Sequence, residues 1–306
     1  MKDLKDPGMR AFLQECEQFY PPNAVELSVE EQRACYNKLC QHFLKPYPEG
    51  VTAGDYEIEG IPVRHYMPST AETDTIIVYA HGGGFVVGDL DSHDDVCAEL
   101  CAHAGAELVA IHYRLAPEHP FPAAFDDCWA VARTVMSNGA KVVLAGDSAG
   151  AKLSAAVALK ARDEGICGVL GQVLIYGAYG LEPVGGSYEE HAEAPGLTTA
   201  DVKFYSDIYF GKRPNPNWEN KFARPLMETD YSGLPPAFLV AAGIDPLFDD
   251  TFAYAGALKS AGVPAETRAE PDLVHGFLRA RHMSAPAREG FAAISDAVRR
   301  FCHGGD

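Results

Sequence analysis

The sequence predicts an α/β fold in which a mostly parallel central sheet carries helices on both faces. From residue 75 onward, short apolar runs of strand length alternate with longer helical patterns. This alternation is typical of a parallel sheet, because each crossover between parallel strands usually contains a helix. The predicted strands lie near residues 75–80, 107–113, 141–145, 171–177, 236–242 and 265–270. The predicted helices lie near residues 91–104, 122–137, 149–163, 249–261 and 285–302.

The segment before these strands is predicted to be helical. Apolar residues over 9–20 fall on one helical face. A second helix is predicted to begin at Ser28, where Glu31 completes a capping box, and to end near Phe43. A β-hairpin over 56–66 then leads into the sheet.

A long insertion interrupts the alternation between residues 178 and 235. This gap is too long for one crossover, and it contains a predicted helix from Thr199 to Phe210. We expect the insertion and the N-terminal helices to form a helical cap over the carboxyl ends of the strands, where ligands bind in such sheets. The predicted division is a core of 53–180 and 226–306 and a cap region of 1–52 and 181–225.

The composition argues against several classes of partner. The 306 residues include 25 Lys plus Arg against 43 Asp plus Glu, a formal net charge of −18. A field of this sign repels nucleic acid and anionic membranes, so we expect neither as a partner. The N-terminal residues lack an apolar signal-peptide core, and no run of 18 apolar residues occurs. We therefore expect a cytoplasmic protein without stable membrane association.

The cysteines and histidines predict neither disulfides nor a metal site. No C-x-x-C pair and no H-E-x-x-H or H-x-H cluster occurs, and several cysteines fall in helical patterns among apolar residues. We interpret the eight cysteines as free, buried thiols in a reducing compartment, and we expect no metal and no cofactor. They are at positions 16, 35, 40, 97, 101, 128, 167 and 302.

The pentapeptide Gly146–Gly150 has the surroundings of a nucleophile elbow. An apolar strand pattern (141–145) precedes this G-x-S-x-G sequence, and an alanine-rich helix pattern (151–160) follows it. At such a sharp turn the serine is strained, and the residues two before and two after it must be small. The following helix directs its amide dipoles at the site. Ser148 is therefore the predicted nucleophile, with Asp147 beside it in the motif.

Two later loops supply the base and the acid that a serine nucleophile requires. A histidine takes the hydroxyl proton best when a carboxylate orients it. Asp245 follows the strand near 236–242, and His275 follows the strand near 265–270. Asp245 could instead be only a helix cap. The competing residues are Asp249 and Asp250 for the acid and His282 and His303 for the base.

The glycine run after the strand at 75–80 predicts an oxyanion hole. Three successive glycines between His81 and Phe85 let bare backbone N–H groups approach a substrate oxygen closely. A phosphate-binding loop is the alternative, but the Lys-Ser/Thr of a P-loop and the spaced glycines of a dinucleotide fingerprint are missing. The predicted oxyanion-hole residues are Gly82, Gly83, Gly84 and, directly after the nucleophile, Ala149.

These motifs together resemble the hormone-sensitive-lipase-like esterases, the bacterial family IV carboxylesterases of the α/β-hydrolase superfamily. The resemblance covers most of the chain from about residue 55. Two departures are Ala151, where many relatives carry a further Gly, and His112, where Asp or Asn is frequent. The motifs that carry the resemblance are His81-Gly82-Gly83-Gly84-Phe85, Tyr113–Ala124, Gly146–Gly150, Asp245-Pro246-Leu247 and His275-Gly276-Phe277.

The resemblance implies an α/β-hydrolase fold with a cap, and it implies roles for particular residues. His81 is expected to shape the glycine loop, Arg114 and Glu118 are expected to pair near the site, and a homodimer through the last strand is compatible with the family. The implied catalytic residues are Ser148 as nucleophile, His275 as base and Asp245 as orienting acid, with the amides of Gly83, Gly84 and Ala149 as oxyanion donors.

The function predicted from these residues is a serine carboxylesterase acting on short- to medium-chain esters through an acyl-enzyme. Aromatic residues in the cap favour uncharged, apolar acyl groups, in agreement with the acidic surface. One alternative is an amidase or peptidase with the same triad, which rates on matched ester and anilide substrates would separate. The other is a non-catalytic ligand-binding receptor on this fold. Such receptors usually lack the histidine that this chain keeps at position 275.

Overall fold

An eight-stranded sheet forms the centre of the computed structural model, which describes residues 4–21 and 24–305. The strands are Val51–Ile58 (β1), Ile61–Pro68 (β2), Ile76–Ala80 (β3), Leu108–Ile111 (β4), Val142–Asp147 (β5), Val169–Ile175 (β6), Ala237–Ile244 (β7) and Ala265–Val274 (β8). They are ordered β1-β2-β4-β3-β5-β6-β7-β8. β2 pairs antiparallel with β1 and β4, and the remaining pairs are parallel. The predicted mostly parallel sheet is confirmed.

Helices cover both faces of this sheet, as predicted. The longer helices are Pro7–Cys16 (α1), Val29–Phe43 (α2), Asp94–Ala104 (α3), Ala123–Ser137 (α4), Ala149–Asp163 (α5), Thr199–Phe210 (α7), Phe248–Ser260 (α8) and Ala285–Cys302 (α9), and Ser187–Glu190 (α6) is a single turn. Apolar residues of α4, α5 and α8 pack into one core, and those of α3 and α9 pack into a second core on the opposite face. The 3-10 helices are Ala24–Glu26, Pro216–Glu219, Pro225–Met227 and Phe277–His282.

The predicted capping signals act as expected at the helix N-termini. The hydroxyl of Ser28 accepts from the N–H of Glu31, and the Glu31 carboxylate accepts from the N–H of Ser28 at 2.9 Å. Thr198 and Asp201 form a second capping box at the start of α7. These boxes satisfy backbone N–H groups that the helix itself leaves without partners.

Three strand ends differ from the prediction for local reasons. β4 ends at Ile111 rather than residue 113, because the N–H of Arg114 already donates to a side chain, Asp127 Oδ2, at 2.8 Å. β6 ends at Ile175, since Tyr176 has φ +37°, outside the extended region. β8 continues to Val274 and so delivers the next residue to the sheet's carboxyl edge.

The eight cysteines are free thiols of differing exposure. Five are buried, and Cys16 and Cys35 are partly exposed. The prediction of buried thiols is wrong at Cys167, which lies exposed in the connection between α5 and β6. Across 4–21 and 24–305, the model contains no helix that combines the length and the apolarity needed to cross a bilayer.

Candidate active site

Ser148 lies between β5 and α5 in a conformation that few residues adopt. Its φ of 54° and ψ of −117° fall outside the common regions for a residue with a Cβ. A Cβ on Gly150 would lie 1.9 Å from the carbonyl oxygen of Ala80, and one on Gly146 would lie 2.6 Å from it. Both elbow positions therefore require glycine, because β3 passes directly against the turn.

The structure brings Ser148, His275 and Asp245 together. His275 Nε2 lies 2.9 Å from Ser148 Oγ, and His275 Nδ1 lies 2.7 Å from Asp245 Oδ2. Asp245 follows β7 and is fully buried, and its other oxygen accepts the N–H of Leu247 at 2.9 Å. An ionised carboxylate only accepts, so Nδ1 donates to Asp245 and the lone pair of Nε2 faces the serine hydroxyl.

The competing acids and bases have other partners. Asp250 accepts three backbone N–H groups of residues 179–181 and the hydroxyl of Tyr188. Asp249 accepts the N–H of Ser187 at 2.9 Å. His282 pairs with Glu99, and His303 bonds the carbonyl of Ala104.

Not every backbone N–H in the glycine loop after β3 is free to bind a substrate oxygen. Gly83 and Gly84 have φ of +128° and +60°, and a Cβ on Gly83 would lie 2.1 Å from the Val87 carbonyl oxygen. Gly82 donates its N–H to Asp147 Oδ1 at 2.9 Å. This corrects the prediction for Gly82: its amide is occupied, and its contribution is to fix the loop.

Ala149 supplies the remaining predicted donor. It is the first residue of α5, and the first four N–H groups of an α-helix have no intrahelical acceptor. The positive end of the helix dipole therefore lies beside Ser148 Oγ. The amides of Gly83, Gly84 and Ala149 remain the predicted oxyanion donors.

Asp147 joins the elbow to the glycine loop. Besides the N–H of Gly82, it accepts the hydroxyls of Tyr79 at 2.8 Å and Tyr176 at 3.4 Å, and its Oδ2 lies 3.3 Å from His93 Nε2. Burial acts to raise the pKa of Asp147, but the charge of His93 and these hydrogen bonds hold it well below its usual range. A permanent buried anion thus anchors both halves of the site.

His81 is buried at the start of the glycine loop. Its ring stacks on Tyr113 at a centroid distance of 4.3 Å, and its Nδ1 lies 2.7 Å from the carbonyl oxygen of Gly82. Burial lowers the pKa of His81 to about 3, so the ring is neutral and Nδ1 donates to that carbonyl. It braces the loop and makes no contact with Ser148.

The expected pairing of Arg114 with Glu118 is wrong. Arg114 pairs with Asp127 of α4 at 2.7 Å, whereas Glu118 pairs with Arg33 of α2 at 2.7 Å. The chain turns between the two residues, so each faces a different helix. Arg33 also donates to the carbonyl of Val86 at 2.8 Å, and in this way α2 is tied to the segment after the glycine loop.

Several residues near the site carry no sequence signal of their own. His93, Tyr176 and Arg279 lie in three separate segments of the chain, and one sequence gives no sign that they meet around Asp147. Tyr205 lies in the helix predicted from Thr199 to Phe210, and that prediction gave it no role at the site. In the structure it covers the glycine loop, since a Cβ on Gly84 would lie 2.7 Å from its ring.

One side-chain cluster in the described part of the chain has the spacing of a metal site. Asp95, Glu99 and His282 bring their ligand atoms within 4.8 Å of one another. The guanidinium of Arg281 already forms ion pairs with both carboxylates, at 2.6 Å from Asp95 and 2.8 Å from Glu99. The cluster is an ion-pair network on the face opposite α5.

Comparison with known proteins places this site in a family. A family model described as alpha/beta hydrolase fold matches residues 77–279, which hold the glycine loop, the elbow, Asp245 and His275. The chain belongs to the alpha/beta-hydrolase fold family. It is 37% identical over 264 residues to esterase LipI of Mycobacterium tuberculosis, covering 82% of each chain. It is 33% identical over 303 residues to an acetyl esterase of Salmonella schwarzengrund, covering 92% of this chain and 89% of the relative.

Solved structures agree with this assignment. An esterase from Pyrobaculum calidifontis superposes with a TM-score of 0.85 at 34% identity, covering 94% of this chain and 97% of the other. An esterase described as a member of the bacterial hormone-sensitive lipase family superposes with a TM-score of 0.88 at 25% identity, covering 97% and 99%. The resemblance to the hormone-sensitive-lipase-like esterases and the predicted α/β-hydrolase fold are both confirmed.

Proposed function

We propose that this chain is a serine carboxylesterase that hydrolyses short- to medium-chain carboxylic esters through an acyl-enzyme. The observation that carries the proposal is His275 lying between Ser148 Oγ at 2.9 Å and Asp245 Oδ2 at 2.7 Å. A base within hydrogen-bond reach of a nucleophile, itself oriented by an acid, is the arrangement that activates a serine. The esterase names of the relatives support the ester as the substrate class.

The reaction follows from the positions of these groups. Ser148 Oγ attacks the ester carbonyl while His275 Nε2 takes the hydroxyl proton, and the negative charge that forms on the carbonyl oxygen is met by backbone amides. His275 then gives the proton to the leaving alcohol. A water molecule, deprotonated by the same imidazole, attacks the acyl-enzyme and releases the acid, which returns Ser148 to its starting state.

We also propose that residues 1–52 and 181–225 form a cap over a core of 53–180 and 226–306. Two contacts support this division. The hydroxyl of Tyr20 lies 3.0 Å from that of Tyr205, so the two segments meet, and the Tyr205 ring lies against Gly84. A cap so placed covers the oxyanion loop and limits the size of the acyl group.

The proposed location is the cytoplasm, and a homodimer through β8 is the proposed assembly. Eight free thiols are typical of a reducing compartment, which supports the location. β8 lies at the end of the strand order, and an edge strand offers unpaired backbone groups to a second copy.

A fluorophosphonate probe tests the nucleophile directly. We expect the wild type to be labelled and Ser148→Ala to remain unlabelled, because only an activated serine attacks the phosphorus of the probe and displaces its fluoride. Ser154→Ala is the matched control, since Ser154 lies in the same helix with its hydroxyl bonded to the Ala145 carbonyl. Equal labelling of Ser148→Ala and the wild type would exclude the proposed nucleophile.

Steady-state rates then define the reaction class. We expect 4-nitrophenyl esters with short acyl chains to be turned over, and matched 4-nitroanilides to be turned over far more slowly. Faster hydrolysis of the anilides would favour an amidase with the same triad. Binding of esters without turnover, together with an unlabelled wild type, would favour a receptor.

A further inference from the structure

Arg279 is a cation near the site that the proposed hydrolysis does not use. It lies four residues after His275, in the 3-10 helix Phe277–His282. Within 4–21 and 24–305, no carboxylate lies at ion-pair distance from its guanidinium, whose contacts are of other kinds. These contacts are Tyr36 Oη at 2.8 Å, Cys40 Sγ at 3.3 Å, the Ser92 carbonyl oxygen at 3.4 Å and His93 Nε2 at 3.4 Å.

Most of the hydrogen-bonding capacity of Arg279 is unused. All four contacts fall on one nitrogen, Nη2, whereas a guanidinium carries five N–H donors on three nitrogens. Its Nε is shielded from solvent and has no partner, and no residue in the described ranges accepts from Nη1. Nη1 is therefore free to donate to a ligand.

Asp147 does not lie at ion-pair distance from Arg279, although its negative charge acts on the guanidinium. His93 lies between the two groups, with Nε2 3.3 Å from Asp147 Oδ2 and 3.4 Å from Arg279 Nη2. The oxygens of Asp147 are engaged by Gly82, Tyr79 and Tyr176. Asp147 therefore takes its hydrogen bonds from groups other than Arg279.

Arg279 lies near the reacting groups, because His93 contacts both its Nη2 and Asp147, the residue before Ser148. Ser148 and Arg279 are each partly exposed between two buried neighbours in the chain, as expected for residues that line a cleft. The guanidinium lies over the ring of Tyr36 at 5.0 Å. The ring of Tyr36 is 6.4 Å from that of Tyr20, whose hydroxyl meets Tyr205.

Tyr205 connects this wall to the oxyanion loop, since its ring lies directly against Gly84. Three tyrosines thus form one surface that leads from the glycine loop to the guanidinium. A substrate whose ester lies on Ser148 can follow this surface, and its far end then reaches Arg279.

We propose that Arg279 binds a carboxylate carried by the substrate, so that the preferred substrate is an ester with a carboxylate at the far end of a short apolar spacer. This inference rests on the proposed esterase activity and narrows its substrate class. Nη1 of Arg279 can donate a charge-assisted hydrogen bond to such a carboxylate. The inference also replaces the expectation of uncharged acyl groups. The net charge of −18 belongs mainly to the surface and is screened over about 8 Å, so the nearby cation governs binding.

The test compares anionic and neutral esters of equal length. Values of kcat/KM are measured by pH-stat titration for monoethyl succinate, adipate and suberate against ethyl butanoate, hexanoate and octanoate. An ester of 6-acetoxyhexanoate type against hexyl acetate places the carboxylate on the alcohol side. We expect the anionic-to-neutral ratio of the wild type to peak at one spacer length and to fall about tenfold or more in Arg279→Gln, as is typical for loss of charge-assisted hydrogen bonds.

Three further variants separate binding from a structural role. Arg133→Gln removes the same charge from an exposed position on α4, and we expect it to keep the wild-type ratio. Tyr36→Phe removes an Nη2 acceptor but not the cation, so the ratio is expected to remain. Arg279→Lys keeps the positive charge, so we expect it to retain part of the anionic-to-neutral ratio. If Arg279→Gln does not fold, inhibition of the wild type by adipate monoamide against hexanamide gives the same comparison, with the monoamide, which carries the carboxylate, expected to bind more tightly.

The outcomes distinguish this inference from the proposed function. Equal ratios in Arg279→Gln and Arg133→Gln, or a wild-type ratio that is flat across all spacers on both sides of the ester, overturn the carboxylate site while neutral esters are still hydrolysed. If the wild type hydrolyses neither member of any pair and is not labelled by a fluorophosphonate, the esterase proposal itself fails.

Discussion

A methyl group added at Gly150 is predicted to inactivate the site without touching a catalytic residue. The Cβ of an alanine there would lie 1.9 Å from the Ala80 carbonyl oxygen, 2.5 Å from its carbon and 2.8 Å from the His81 carbonyl oxygen. All three are backbone atoms at the end of β3, and no side-chain rotation relieves the clash. The end of β3 and the start of α5 must therefore separate by about 1 Å.

This displacement acts on the geometry of the oxyanion hole. The glycine loop begins directly after β3, whereas Ser148 and the amide of Ala149 move with α5. A misplacement of about 1 Å between reacting groups costs on the order of 100-fold in rate. Overpacking of a core contact costs about 1–3 kcal/mol. We expect Gly150→Ala to lose about 100-fold in kcat and about 1–3 kcal/mol in the free energy of unfolding.

The assay pairs hydrolysis of 4-nitrophenyl acetate with urea unfolding. Gly256→Ala is the matched control, because Gly256 lies within α8 and a Cβ there meets nothing within 4 Å. We expect that change to leave kcat unaltered and to raise the free energy of unfolding by about 0.5–1 kcal/mol. A Gly150→Ala enzyme with wild-type kcat and stability would refute the close passage of β3 against the elbow.

Three further changes test buried groups around the site. Burial lowers the pKa of Lys152 to about 8, whereas the unfolded chain binds that proton up to about pH 10.4. Lys152→Met should therefore raise the free energy of unfolding by about 1–3 kcal/mol at pH 7 and by less at pH 10. Because the pKa of His81 is lowered to about 3, the wild type should lose stability as the pH falls below about 6.5, and His81→Asn should flatten the urea-measured slope between pH 7 and pH 5. A double-mutant cycle of Tyr20→Phe and Tyr205→Phe should give a coupling of about 0.5–1.5 kcal/mol, whereas no coupling would argue against contact between the cap segments.

The sequence predicted the parts of this site that depend on local order along the chain. Alternating apolar runs indicated the strands and helices, and Ser148, Asp245 and His275 were expected at the carboxyl ends of three different strands. The parallel sheet places those ends at one edge. Residues that follow different strands therefore meet, although they are up to 127 positions apart.

The sequence did not predict contacts between side chains whose separation along the chain follows no motif. The family resemblance implied that Arg114 and Glu118 pair, yet Asp127 and Arg33 reach them from different helices. Arg279 likewise meets α2 across more than 200 positions. Such pairings depend on how helices pack on the sheet, and the packing angle is not encoded in any single motif.

Trapping the acyl-enzyme tests the central claim most directly. The protein is mixed with 4-nitrophenyl acetate, quenched in acid within the first turnovers, digested and analysed by mass spectrometry. We predict one acetyl group on the peptide that contains Ser148, a burst of 4-nitrophenol that approaches one equivalent per site, and loss of both in Ser148→Ala. Turnover of the ester with an acetyl group on another residue, or with none trapped and an unchanged rate in Ser148→Ala, would contradict the account.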